Sequence, residues 1–401
     1  MLTIRTENVI IFKDIFISRK GDVPMKTLKK ILSVVLCIVM IGAFAVVPAG
    51  AVKADIAPIG TKGSFNALSY NVKGLPIPSS FTDDDNDAYD NTILIGQLLN
   101  AKGYDIVCTQ EDFNYDTYLR KQLTNYKYMT EHAGGVPLGD GLNVFTKNMP
   151  LSNTDRQAWE QTHGVIPEGD ELTYKGFMVT TIKVADGVYI DYYDLHADAF
   201  GGEENNATRE AEFEQLVKYI NKHSANRAVI ITGDFNCSLF SNASTNIIGK
   251  LIEPLGLNDA WAVEYANAYD PTVTIIENHG DENYSYDQYY KYAQNSASTD
   301  HSGYWGVFDS VERFLYRDGG GVKLSVQSFA YQNFFDASGK NLSDHAAALA
   351  HFNYEVVEHP DYSSEIKDDQ PMSFLFKFLD YIASLFRSLG KLLENYFQWT
   401  K

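Results

Sequence analysis

The segment from Val229 to Asn236 constrains the fold more than any other stretch of the chain. Its β-prone residues Val-Ile-Ile-Thr run into Gly233-Asp234-Phe235-Asn236, which predicts a buried strand ending in a sharp turn. Asp234 and Asn236 are two residues apart, so both side chains leave the strand end on the same side. A carboxylate and an amide there suit a hydrated Mg²⁺ and a phosphate oxygen, although both are also ordinary turn residues after glycine.

Other predicted strands also end in polar side chains. Ligands collect at strand ends in strand-built folds, so the repetition carries more weight than any one residue. A histidine at a strand end is usually structural, but here we expect the neighbouring Asp198 to hold the tautomer of His196. The predicted strands are 65–72 with Asn71, 105–111 with Glu111, 188–196 with His196, 310–317 and 348–354, and the core strands 139–145 and 176–182.

Two amphipathic helices are predicted between these strands. Residues 93–99 have apolar side chains at helical spacing, and Gly103 closes this helix. Thr208 is the expected N-cap of a second helix with an apolar stripe over residues 213–220. Arg209 would then lie in its first turn, where an acidic residue is more usual. Arg209 is therefore a candidate phosphate contact.

The N-terminal region has the parts of a secretory signal. Residues 25–51 contain a basic head, an unbroken apolar stretch and the small-residue exit Ala49-Gly50-Ala51. A single transmembrane anchor is the alternative, but the apolar stretch is short for a span. We therefore predict an extracellular protein, with residues 1–24 as an over-extended start or a discarded leader.

The charge of the chain after residue 51, the part predicted to be secreted, narrows the range of possible binding partners. Without residues 1–51, which hold seven basic and three acidic residues, the chain has 26 basic and 49 acidic residues and a net charge of −23. This charge gives no general attraction for nucleic acid but suits a divalent cation held by carboxylates. Cys108 and Cys237 cannot form a disulfide framework, although one bridge is possible in an exported protein. We predict that both are small buried residues.

Two further segments have open interpretations. Residues 240–305 are irregular and tyrosine-rich. We predict that they either line the binding site for the non-phosphate part of a substrate or form plain surface structure. A polar linker at 356–370 leads to an amphipathic helical tail at 371–401 with four basic and two acidic residues. This tail is expected to dock on the domain's own surface, to lie in a membrane interface, or to self-associate as a short coiled coil.

Five polar motifs follow one another along the chain in a recognisable order. They are Asn71, Glu111, His196-x-Asp198, Asp234-x-Asn236 and Ser343-Asp344-His345. Together they resemble the endonuclease/exonuclease/phosphatase superfamily, the DNase I-like proteins, over residues 67–354. The resemblance implies an α/β fold, a four-layer α/β sandwich with two packed mixed β-sheets over residues 62–355. We expect the amphipathic tail to follow this domain.

The resemblance also implies roles for individual residues. His345 would be the general base, oriented by Glu312, which stands where family members have an aspartate. His196 would stabilise developing charge or protonate the leaving group. The implied metal ligands are Glu111, Asn71 and Asp344, with Mg²⁺ as the cation and Mn²⁺ as an alternative. The catalytic set is completed by Asp234 and Asn236, and the predicted substrate contacts are Arg209 and Asp198.

These residue types suit phosphoester hydrolysis. In-line attack on a phosphate ester needs a positioned water, a base with a pKa near neutrality and positive charge on the phosphoryl oxygens. We therefore predict a secreted, Mg²⁺-dependent phosphodiesterase with a phospholipid such as sphingomyelin as leading substrate. The alternatives are an extracellular endonuclease and a catalytically weak membrane-binding protein of the same fold. The sequence shows no obligate protein partner.

Overall fold

The computed structural model describes the body of the chain between residues 57 and 358. The predicted leader and signal, most of the tyrosine-rich segment and the tail at 371–401 lie outside the described residues. No helix among the described residues is long and apolar enough to cross a bilayer. The described residues are 57–74, 88–113, 115–133, 139–152, 154–163, 175–237, 247–261, 263 and 311–358.

Twelve strands and a few helices make up the described part. The helical segments are α1 (Ala88–Lys102), α2 (Asp116–Gln122), α3 (Glu203–His223), a π-helical turn (Ile248–Ile252) and α4 (Glu253–Leu255). The strands are β1 (Lys62–Asn71), β2 (Ile106–Gln110), β3 (Tyr128–Met129), β4 (Asn143–Thr146), β5 (Asp155–Ala158), β6 (Gly176–Ala185), β7 (Val188–His196), β8 (Val229–Asp234), β9 (Asn258–Asp259), β10 (Glu312–Arg317), β11 (Val322–Gln332) and β12 (Ala347–Val356).

The strands form two six-stranded mixed sheets. The first has the order β11-β12-β1-β2-β4-β3, and the second has the order β5-β6-β7-β8-β10-β9. Each sheet has one parallel pair at its centre, β1 with β2 and β7 with β8. β2 packs on β7 and β8 of the other sheet. The carboxyl ends of the four central strands therefore meet at one edge of the molecule.

The strand alternation divides the core into layers. On β1, Ala67 belongs to the core between the sheets, whereas Leu68 and Tyr70 belong to the core beneath α1 and α2. On the other side of the molecule, α3 packs Phe213 and Leu216 against the second sheet. The layers are therefore helix, sheet, sheet and helix, which confirms the predicted four-layer α/β sandwich.

Several local predictions agree with the structure. β7 has the predicted bounds, and Gly103 follows the end of α1 with a φ of +64°. Cys108 and Cys237 are buried and free. The predicted strand 139–145 is shorter, since only β4 (Asn143–Thr146) pairs with β2.

The start of α3 differs from the prediction. The helix begins at Glu203 after Gly202, which has a φ of +106°, a conformation that glycine adopts without steric cost. Thr208 is therefore inside the helix, where its hydroxyl donates to the carbonyl of Glu204 at 3.0 Å. Arg209 consequently lies in the second turn and not in the first.

We predict that Gly233→Ala destabilises the domain by about 2–4 kcal/mol, because a side chain there is both strained and overpacked. Gly233 has a φ of +134°, and an added Cβ would lie 2.0 Å from the carbonyl oxygen of Leu195 on β7. Urea unfolding measures the change as a lower midpoint at an unchanged slope. Gly201→Ala is the control, because its Cβ would meet nothing within 4 Å. Equal midpoints for the two variants would contradict this role of Gly233.

Candidate active site

Three site residues lie in a row across the second sheet. The register pairs His196 on β7 with Asp234 on β8, and Asp234 with Glu312 on β10. All three side chains are buried. His196 Nε2 lies 3.5 Å from Asp234 Oδ2. The strand pairing itself therefore fixes a histidine and two carboxylates side by side.

The first sheet contributes Asn71 and Glu111 to the same place. Asn71 Nδ2 donates to Glu111 Oε1 and to Asp234 Oδ2, at 3.0 Å in both cases. Its Oδ1 accepts from the backbone N–H of Lys73 at 3.0 Å. The Asn71 amide thus joins a carboxylate from each sheet. Its nitrogen faces the two carboxylates, and its oxygen faces the Lys73 N–H.

His345 reaches the site from the loop before β12. Ser343 Oγ donates to the Asn71 carbonyl at 2.7 Å and accepts from the His345 N–H at 3.2 Å. The His345 ring forms a hydrogen bond through Nδ1 with Glu312 Oε1. The expected contact between His345 and Glu312 is present, so the longer glutamate does reach the imidazole, and Nε2 is the ring nitrogen that Glu312 does not engage.

The turn after β8 positions Asn236. Its backbone N–H donates to Asp234 Oδ1 at 2.9 Å, and its Nδ2 donates to the Ala197 carbonyl at 3.0 Å. Asn236 has a φ of +48°, and Glu111 has a φ of +55°. Few non-glycine residues adopt such backbone conformations, and they are enriched at functional sites. The two strand-end turns therefore have a strained backbone, and this conformation directs their side chains into the site.

Burial and neighbouring charge shift the pKa values of His345 and His196 in opposite directions. Burial favours the neutral imidazole at His345, but the negative charges of Glu312 and Asp234 outweigh it and hold the pKa of His345 well above its usual value. Burial lowers the pKa of His196 well below its usual value, with a smaller contribution from Lys175. Burial thus favours the neutral form of His196, whereas the neighbouring carboxylates favour the protonated form of His345.

The residues present fit a divalent cation. Glu111, Asp234 and His345 place one ligand atom each within 4.8 Å of one another. Burial raises the pKa of Glu111, which shows that its negative charge lacks full compensation from the described residues. Carboxylate oxygens are the ligands that Mg²⁺ prefers. Asp344 lies at the rim, 3.9 Å from His345 Nε2 and in an ion pair with Lys73 at 3.1 Å.

Comparison with known proteins places the chain in a family. The family model described as Endonuclease/Exonuclease/phosphatase family 2 matches residues 68–351. The chain belongs to the endonuclease/exonuclease/phosphatase family. It is 31% identical over 304 residues to the sphingomyelinases of Mycobacterium bovis and Mycobacterium tuberculosis, which covers 73% of this chain and 53% of theirs. The chain thus spans about half the length of the curated relatives it matches.

Solved structures with similar architecture are more distant. Sphingomyelinase C from Streptomyces griseocarneus is 18% identical, with a TM-score of 0.46 over 72% of this chain and 99% of that one. D. rerio TDP2 complexed with single strand DNA product is 15% identical, with a TM-score of 0.49 over 72% of this chain and 98% of that one.

In this member of the endonuclease/exonuclease/phosphatase family, Arg209 is not the predicted phosphate contact. Its side chain is buried, and Nη1 donates to the carbonyls of Asp198, Ala199 and Phe200 at 2.9, 3.2 and 2.7 Å. The prediction rested on a first-turn position, but α3 starts at Glu203, and the Arg209 side chain is engaged by backbone carbonyls instead. Arg209 therefore faces the loop after β7, which its guanidinium holds in place.

Asp198 does not orient His196 as we expected. It is buried, and its Oδ1 accepts from the His163 N–H at 3.4 Å, while its own N–H donates to Glu212 at 3.0 Å. His196 Nδ1 is buried and has no hydrogen-bond partner among the described residues. The His196 ring is instead placed by β7 itself, whose last carbonyl accepts from Trp159 Nε1 at 2.7 Å.

Two lysines near the site were not predicted. Lys73 pairs with Asp344, and Lys175 is buried and donates to the Ala197 carbonyl at 3.3 Å, the acceptor that Asn236 also uses. Both cations lie next to predicted strands, where a lone lysine has no distinguishing sequence signal. The structure alone shows that they offset part of the negative charge.

We predict that Glu312→Gln lowers the pKa of His345, because removing the neighbouring anion destabilises the imidazolium. NMR titration of the histidine side chains in chelator-treated protein measures this shift. Glu355→Gln is the control, since Glu355 pairs with Lys62 on the exposed surface. An unchanged titration of His345 in Glu312→Gln would show that the contact with Glu312 does not set its charge.

Proposed function

We propose that this chain is a divalent-metal-dependent phosphodiesterase that acts by in-line attack of water on a phosphate ester. The observation that supports it is the convergence of Glu111, Asp234 and His345 within 4.8 Å, with Glu312 bonded to the far side of the imidazole. A base held by a carboxylate beside an anionic cation site is the equipment that this hydrolysis needs.

Four residues of the chain have separate roles in the proposed reaction. Glu312 holds His345 Nδ1, so in the neutral form of the ring the outer Nε2 accepts the proton of the attacking water. Asn71 keeps the two site carboxylates from separating, and neutral His196 presents Nε2 to the same space, where it donates to a phosphoryl or leaving oxygen. A bound divalent cation would supply Lewis-acid polarisation of the phosphoryl oxygens and offset the carboxylate charge.

We propose a phospholipid such as sphingomyelin as the substrate. The identity of 31% to sphingomyelinases supports it, and so does the acidic body of the chain, which does not attract a polyanion. The predicted secretory signal at 25–51 and the predicted amphipathic tail at 371–401 support an extracellular protein that works at a membrane surface. DNA remains the substrate to test against it.

The expected result is release of phosphocholine from sphingomyelin vesicles without nicking of plasmid DNA, in the presence of Mg²⁺. Chelator should abolish turnover, and added Mg²⁺ or Mn²⁺ should restore it. His345→Ala should lower kcat by about 10²–10⁴-fold, because it removes the general base. His223→Ala, on the exposed face of α3, is the matched control and should keep full activity.

Other outcomes of the same assay separate the alternatives. Plasmid nicking without lipid turnover would assign a nuclease. Vesicle binding that survives His345→Ala, with no turnover of either substrate, would assign a catalytically weak membrane-binding protein. Chelator-resistant turnover would contradict the metal dependence.

We predict that deleting residues 371–401 reduces liposome binding and leaves turnover of a soluble chromogenic phosphodiester unchanged. The apolar face of an interfacial helix adds membrane affinity but does not contact the reacting phosphate. Liposome co-sedimentation measures the first effect and a colorimetric assay the second. Equal liposome binding by the full and truncated chains would contradict a membrane role for the tail.

A further inference from the structure

A buried polar cluster joins the two sheets directly beneath the candidate site. Gln110 on β2 donates through Nε2 to Ser69 Oγ on β1 at 3.1 Å and to Asp194 Oδ1 on β7 at 2.6 Å. All three residues are 0% exposed. Gln110 directly precedes Glu111, and Asp194 lies two residues before His196. The cluster therefore connects the strands that carry these two site residues.

Two oxygens of this cluster are left without donors. Asp194 Oδ2 and Gln110 Oε1 are both buried, and neither has a hydrogen-bond partner among the described residues. An unsatisfied buried acceptor costs free energy. If Asp194 is ionised, neither Asp194 Oδ2 nor Gln110 Oε1 carries a hydrogen. The two oxygens therefore cannot form a hydrogen bond with each other.

Burial dominates the environment of Asp194, since Asp140 and Arg156 shift its pKa in opposite directions and each by less than burial does. No ion pair joins Asp194 to a cation within the described part of the chain, in contrast to Asp191 three residues earlier, which pairs with Arg227 at 3.3 Å. Cys108 and Tyr192 lie in the same layer, and burial raises the pKa of both groups, so they carry no charge. Burial also holds the pKa of Asp194 well above its usual value.

We propose that Asp194 is a neutral carboxylic acid whose hydroxyl donates from Oδ2 to Gln110 Oε1. With this proton the pair has two hydrogen bonds in opposite directions, Nε2 to Oδ1 and Oδ2 to Oε1, and both orphan oxygens are satisfied. Gln110 and Asp194 are then positioning residues. Their two-way bridge fixes the spacing of β2 and β7 one residue below Glu111 and two below His196.

Asp194→Asn and Asp194→Leu test this arrangement. Asparagine offers the same acceptor and donor as a protonated aspartate, whereas leucine keeps the approximate volume and removes both. The thermal midpoint of Asp194→Asn should stay within about 2 °C of the parent, and that of Asp194→Leu should fall by about 4 °C or more. An equal loss in both variants would overturn the proposal.

Infrared difference spectra at neutral pH give a direct signature. Subtracting the Asp194→Asn spectrum from that of the parent should leave the carbonyl stretch of a neutral carboxylic acid. Asp186→Asn, at an exposed position paired with Lys183, is the control and should leave only ionised carboxylate bands. Carboxylate bands in the Asp194 difference would overturn the proposal, whatever the enzyme's substrate.

The kinetic arm rests on the proposed phosphodiesterase function. Asp194→Leu should lower kcat by about tenfold with little change in KM, as expected when a supporting hydrogen bond behind a site residue is lost, and Asp194→Asn should keep kcat within about twofold of the parent. A parent that turns over no phosphodiester would refute the proposed function, while the infrared and thermal results would still decide the state of Asp194.

Discussion

The site depends on one amide that joins two carboxylates from opposite sheets. Asn71 Nδ2 bonds to Glu111 and to Asp234 at 3.0 Å, so two like charges are held close together in a poorly solvated place. Their repulsion is strong where water cannot screen it. The arrangement persists because β1 and β8 pack together and because histidines and a cation site surround the pair. This electrostatic imbalance is the feature that suits the place to a positive charge.

The sheet packing also supports strained turns at the strand ends. Glu111 and Asn236 both have positive φ values, each of which costs about 1–3 kcal/mol. Both turns are fixed by backbone bonds: the carbonyl of Glu111 accepts from Gly74, and Phe235 donates to Val311, at 3.0 and 2.9 Å. The rigid strands therefore stabilise the turns that aim the functional side chains out of the sandwich.

The sequence predicted the strand-end residues well and the helix-borne residue poorly. Apolar runs that end in Asn71, Glu111, His196 and Asp234 have a clear pattern, and the register then brings those ends together. The start of α3 has no such pattern, since a glycine in an unusual conformation precedes two glutamates, and the error there misplaced Arg209. The orientation of the side chains could not be predicted from the sequence either. Which atom of the Asn71 amide faces the carboxylates, and where Asp198 points, depend on loops whose conformation only the folded chain defines.

Two aspartates show how the same side chain acquires opposite states in this fold. Asp234, at the strand end, accepts from the Asn71 amide and the Asn236 N–H and lies near two imidazoles. Asp194 lies one layer deeper, where Gln110 donates a hydrogen bond to it and where it forms no ion pair with a described cation. An ionised group needs several donors or a counter-charge when it is buried. The same gradient of polarity, from the neutral layer between the sheets to the charged edge, keeps the reactive charges at the end of the sandwich where a substrate can reach them.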